Sequence, residues 1–91
     1  MVEGTVTEFD FGNPHALLFF DVKNQRGRIE KWQGELTSPN HLVREGWSRR
    51  SLMLGEHIKV SGYPAKSGDR SIWIQKIKTG NGKDLPLGGG A

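Results

Sequence analysis

Ser38-Pro39-Asn40-His41-Leu42-Val43-Arg44-Glu45-Gly46 reads as a short helix among strand-like segments, and its place in their order decides the fold. A serine hydroxyl accepts a hydrogen bond from an otherwise orphaned N–H of the first turn, which makes Ser38 the N-cap. Pro39 then falls at the first helical position, where a missing N–H costs nothing, and its ring holds Ser38 extended. Gly46 is placed to end the helix. Leu42 and Val43, with Trp47 just beyond, form the expected inward stripe.

Upstream lie three strand-like stretches. In Val2 to Phe11 the inward set changes partway: Val2, Gly4 and Val6 share one face, Phe9 and Phe11 the other, which predicts a bulge near Thr7 or Glu8. His15 to Val22 is almost continuously apolar and predicts a central strand covered on both faces. Lys23 to Gly27 makes a hairpin loop, with Asn24 and Gly27 available for positive φ, and Arg28 to Leu36 is the third strand, anchored by Ile29 and Trp32.

Downstream, His57 to Tyr63 alternates and is closed by Pro64, Ser71 to Lys78 carries four large apolar residues, and Thr79 to Lys83 turns the chain. Trp47 and Trp73 each sit beside aliphatic residues at the edge of an element and are expected in the core. Three strands, a short helix and two strands are the layout of an all-β, five-stranded OB-fold-like Greek-key barrel with the helix between strands 3 and 4. An open five-stranded sandwich or roll fits the same order. The barrel is expected over 1–87, followed by a flexible glycine-rich tail at 88–91.

With 91 residues the chain has room for one modest core. The hydrophobic fraction is 34%, but the apolar residues fall in short runs, as in a folded domain. A formal charge of +3 attracts anions only mildly, so nucleic-acid binding is expected to be weak at most. Zero cysteines exclude disulfides, thiolate metal sites and a cysteine nucleophile. The longest apolar run, Ala16 to Phe20, is far short of the roughly 20 residues of a membrane-spanning helix. No charged-then-apolar leader precedes Val2, so an export signal has been removed or was never there.

Two proline loops carry the most unusual polar groups. Pairing strands 2 and 3 through the Lys23 to Gly27 loop brings the start of one beside the end of the other, so Asn13, His15, Trp32, Glu35 and Asn40 can converge as a polar pocket with an aromatic wall. The alternative is that His15 and Asn40 satisfy loop backbone groups and Trp32 is core. Lys31, Arg44, Arg49 and Arg50 with Trp47 can make a cationic and aromatic surface for oligonucleotides or oligosaccharides, unless Trp47 plugs the barrel beneath the helix. A metal would need two or three of His15, His41 and His57 with a carboxylate, yet no metal-ligand spacing is present; His15 is the weak candidate and no cofactor is expected. No nucleophile elbow or phosphate loop occurs, so no catalytic residue and no enzyme is expected.

Gly4-Thr5-Val6-Thr7-Glu8-Phe9, Asn13-Pro14-His15, Asp21-Val22-Lys23, Glu35-Leu36 with Ser38-Pro39-Asn40, Gly46-Trp47 and Gly62-Tyr63-Pro64-Ala65-Lys66 together resemble a family of small exported bacterial proteins of unassigned role. The resemblance covers nearly the whole chain. It implies a periplasmic or secreted location, an OB-like barrel and an unassigned role. Glu56 matches the acidic residue the family tends to have after the glycine that opens strand 4. Leu17 departs from the aromatic common two residues after the Asn-Pro-His triplet, and the histidine-bearing segment that usually precedes the barrel is missing. The expected function is a non-enzymatic module that binds a ligand or a protein. Nucleic-acid or glycan binding is the alternative, and assembly through strand edges a third.

Overall fold

The strands are β1 (Val2–Asp10), β2 (Leu17–Lys23), β3 (Ile29–Glu35), β4 (His57–Pro64) and β5 (Ser71–Thr79), with one helix, α1 (Pro39–Arg44), between β3 and β4. The structure is a computed structural model that describes residues 1–87. The tail expected at 88–91 lies outside the described residues. The strands close into a barrel in the order β1-β2-β3-β5-β4, with β4 returning to β1. All neighbours are antiparallel except β3 and β5, which pair in parallel through Gln33–Ser71, Gly34–Ile72 and Glu35–Trp73.

Closure depends on β1 serving two partners. Its first half, Val2 to Thr5, pairs with Val60 to His57 of β4, and its second half, Thr5 to Asp10, pairs with Asp21 to Leu17 of β2. The register shifts between Val6 and Glu8, where the change of inward face requires it. A second shift lies in β4 between Ser61 and Gly62. A Cβ at Gly62 would collide with the Trp73 carbonyl oxygen and lie 2.9 Å from the Gln75 nitrogen, so the close approach of β5 here demands glycine.

The helix forms for the local reasons visible in its sequence. Ser38 Oγ accepts from the His41 N–H at 3.3 Å, and Gly46 takes φ 96° just past the C-cap. In six residues the helix buries only Pro39 and Leu42; Val43, expected on the inward stripe, is 56% exposed. Successive helical residues diverge by about 100°, so a helix lying on a narrow barrel end covers one of the pair.

Leu18, Phe20, Leu36, Leu42, Ile58, Val60 and Ile77 are fully buried and fill the interior. β2 is not covered on both faces: Leu18 and Phe20 point in while Leu17 and Phe19 stay half-exposed. A single closed sheet has one inside, and among the described residues no further layer covers this outer surface. Ile29 is likewise 60% exposed rather than an anchor, because it lies near the hairpin tip beyond the stretch of β3 that pairs with β5. In the hairpin, Gly27 takes positive φ and Asn24 does not; its side-chain oxygen instead accepts from the Arg26 and Arg28 N–H groups.

Trp47 is buried beneath the helix with its ring 6.0 Å from Phe9. Its indole N–H donates to the Pro86 carbonyl, and His41 Nε2 lies 3.2 Å from the Leu87 carbonyl oxygen, so residues 85–87 strap this end of the barrel. Trp73 is the correction to the expected core: it sits between inward Ile72 and Ile74, so the two-residue period of a strand points it outward.

Candidate functional site

The Asn13-Pro14-His15 loop joins β1 to β2 and stands exposed. It is tied to the chain after β3 by the Ala16 N–H to Thr37 carbonyl bond at 3.2 Å and the Leu36 N–H to Ala16 carbonyl bond at 2.9 Å. These bonds extend the β2–β3 ladder by one step, which carries His15 over the end of β3. His15 Nδ1 lies 3.1 Å from Glu35 Oε1, with the two side chains 45% and 40% exposed. The imidazole also meets the Trp73 ring edge to face, with centroids 5.7 Å apart and planes at 85°.

The β-ladder registers link Asp10 to Leu17, Leu17 to Glu35, Glu35 to Trp73 and Trp73 to Tyr63, a row that crosses all five strands. The flanking Leu18, Gly34 and Ile72 are buried, so the row faces outward. One end of the barrel therefore presents two carboxylates, an imidazole and two aromatic side chains to solvent, with Tyr63 65% exposed.

Trp32 does not supply the aromatic wall. It lies three residues from Glu35 on the same strand, an odd separation that turns it to the inner face, where it stacks on Phe20 at 6.4 Å. Asn13 and Asn40 are both exposed, and no hydrogen bond joins either to His15 or Glu35 among the described residues. Of the five residues expected to converge, the structure brings together His15 and Glu35 and adds Trp73 and Tyr63. The alternation Ile72-Trp73-Ile74 held the signal that Trp73 faces away from the isoleucines.

The cationic surface is not assembled around an aromatic. Arg44, Arg49 and Arg50 are exposed, but Trp47 is only 4% exposed and offers no face for a base to stack on. Lys31 Nζ lies 3.7 Å from Asp21 Oδ1 on the neighbouring strand, away from the arginines. The three histidines go to three separate partners, Glu35, the Leu87 carbonyl and Glu3, and no group of three metal-ligating side chains occurs among the described residues.

Two further polar features have structural explanations. Glu30 accepts from Asn24 Nδ2 at 3.2 Å and from the Trp32 indole N–H at 3.4 Å, and Arg70 lies 3.5 Å away. The Asn24 hydrogen bond first, then that of Trp32 and the Arg70 charge, hold its carboxyl below its ordinary pKa, and the group fastens the β2–β3 hairpin to the β4–β5 loop. An open cleft of about 430 Å³ beside the strap is lined by Glu45, Trp47, Glu56, Thr79, Lys83 and Pro86. There the Trp47 N–H and the Thr79 hydroxyl are occupied by the Pro86 carbonyl and the Asn81 side chain.

Residues 1–73 match a family of unknown function, DUF6152. The chain belongs to this family. No curated protein and no solved structure matches it. The DUF6152 match reaches Trp73, so His15, Glu35, Tyr63 and Trp73 all lie inside it, whereas the strap at 85–87 lies beyond it.

Proposed function

We propose that this DUF6152 domain is a non-enzymatic, exported, OB-like binding module whose ligand or protein partner docks on the His15–Glu35–Trp73 cluster. The observation that carries this reading is the half-exposed imidazole–carboxylate pair held 3.1 Å apart against an outward indole. A pair that served only the fold would gain little here, because an ion pair open to solvent contributes about 0–1 kcal/mol. An aromatic half-buried on a barrel exterior is apolar area left available to a partner. Export is supported by the family resemblance, and the strand order β1-β2-β3-β5-β4 supports the OB-like assignment.

The reading is tested on protein purified from its native host. His15→Ala is expected to lower stability by less than about 1 kcal/mol in urea denaturation while removing a molecule that native mass spectrometry finds on the parent. A stability loss of about 1–3 kcal/mol with no change in bound species would make the pair structural and overturn the proposal. Fractionation of the host should place the protein outside the cytoplasm; cytoplasmic retention would remove the exported part of the reading.

A further inference from the structure

We propose that the outward row Leu17–Glu35–Trp73–Tyr63 is a platform for a neutral oligosaccharide, an inference that rests on the reading of the His15–Glu35–Trp73 cluster as a binding site. The four residues stand on four adjacent strands in register, β2, β3, β5 and β4. Three strand spacings make the row about 14 Å long, enough for a short glycan lying across the strands.

The row offers the two kinds of contact that a sugar ring makes. A pyranose has an apolar C–H face that packs flat on an aromatic ring, and a rim of hydroxyls that need donors and acceptors beside that ring. Trp73 and Tyr63 supply the rings, each with a polar tip. Glu35 supplies the acceptor: Oε1 is engaged by His15, while Oε2 has no partner among the described residues. With Nδ1–H donating to Glu35 Oε1, Nε2 is left open to a ligand, as an acceptor in the neutral ring and as a donor in the doubly protonated one, and a sugar hydroxyl can meet either. Gln33 and Ser71, paired with each other two positions along β3 and β5 and so on the same outward face, add hydrogen-bonding groups at the border of the platform.

Charge sets the ligand class. The full row carries Asp10 and Glu35 and no lysine or arginine at any of its positions. A phosphodiester chain needs cations along its track, and here it would meet carboxylates. Arg44, Arg49 and Arg50 are on α1 and the segment after it, where Trp47 is buried and cannot stack. A wholly apolar partner would desolvate Glu35 and His15 without replacing the hydrogen bonds they make with water. A neutral polyhydroxylated ligand satisfies both constraints.

The test titrates the intact chain with three soluble neutral probes, cellohexaose, maltohexaose and hexa-N-acetylchitohexaose, up to millimolar concentration, and maps amide shifts by nuclear magnetic resonance. Binding of at least one probe should shift residues 17, 35, 63 and 73, change little with salt, and weaken about two- to tenfold in Tyr63→Ala, a variant at an exposed position that leaves the fold intact. If none of the probes binds while a single-stranded oligothymidylate or an apolar peptide shifts the same amides, the glycan inference is overturned and the site reading survives. If no probe binds, or one binds with its shifts elsewhere on the barrel, the glycan inference is overturned, and the site reading stands or falls on the His15→Ala test.

Discussion

Trp47 and Trp73 carry the same side chain in opposite environments, and alanine at each should separate them sharply. Trp47 is 4% exposed, packs against Phe9 and donates its N–H to Pro86. Removing a buried indole loses its transfer free energy and leaves a cavity that a small barrel closes poorly, a cost of about 3–5 kcal/mol. A chain of 91 residues has a total stability of about 5–14 kcal/mol, so the loss is a large share of the whole. At about 4–8 °C per kcal/mol the melting temperature should fall by about 12–40 °C. Trp73→Ala leaves no interior cavity; it removes an edge-to-face contact with His15 and part of an outward apolar surface, at about 1–2 kcal/mol. Its melting temperature should fall by about 4–16 °C. Far-ultraviolet circular dichroism during heating is the suitable assay, since removal of either tryptophan alters fluorescence directly. Equal losses in the two variants, or a Trp47→Ala variant within about 2 °C of the parent, would refute the assignment of one ring to the core and the other to the surface.

Gly62→Ala should cost about 2–4 kcal/mol in urea denaturation, because the added methyl meets the backbone of β5 at the bulge; a neutral result would mean that the two strands can slide apart there. Glu30 has a folded-state pKa below its ordinary value, so its contribution to stability is present above the ordinary carboxylate range and is lost as pH falls through the folded value. Urea midpoints measured from neutral into acid pH should therefore fall less steeply in Glu30→Gln than in the parent, and superimposable acid limbs would contradict the role given to Asn24 and Trp32. Single-stranded oligothymidylate should bind weakly and lose affinity steeply with salt; submicromolar affinity at physiological salt, abolished by Arg49→Ala with Arg50→Ala, would restore the nucleic-acid reading.

Much of the architecture was legible because it is dictated locally. The Ser38-Pro39 start of α1, the Gly46 stop and the face change in β1 are effects of neighbouring residues on one another, and each has its counterpart in the structure. The errors share a cause. The apolar run of β2, Val43 of the helix and Ile29 of β3 are hydrophobic enough to predict an interior position, but hydrophobicity does not say how many faces a layer will cover. The site was half legible: a hairpin between β2 and β3 sets its own register, so the meeting of His15 with Glu35 follows from a short loop.

The sequence by itself determined the order of elements, the caps and turns, the bulge, and the apolar residues from which a core is drawn. Only the tertiary structure decided that the ring against His15 is Trp73 and not Trp32. β3 and β5 pair in parallel, with α1 and all of β4 between them in the chain, so no tight turn fixes which residues face one another. That register is set when the barrel closes: Gly34 and Ile72 must both point inward, which leaves Glu35 and Trp73 side by side on the outside. The candidate site is thus a consequence of closure, and closure depends on how the whole core packs.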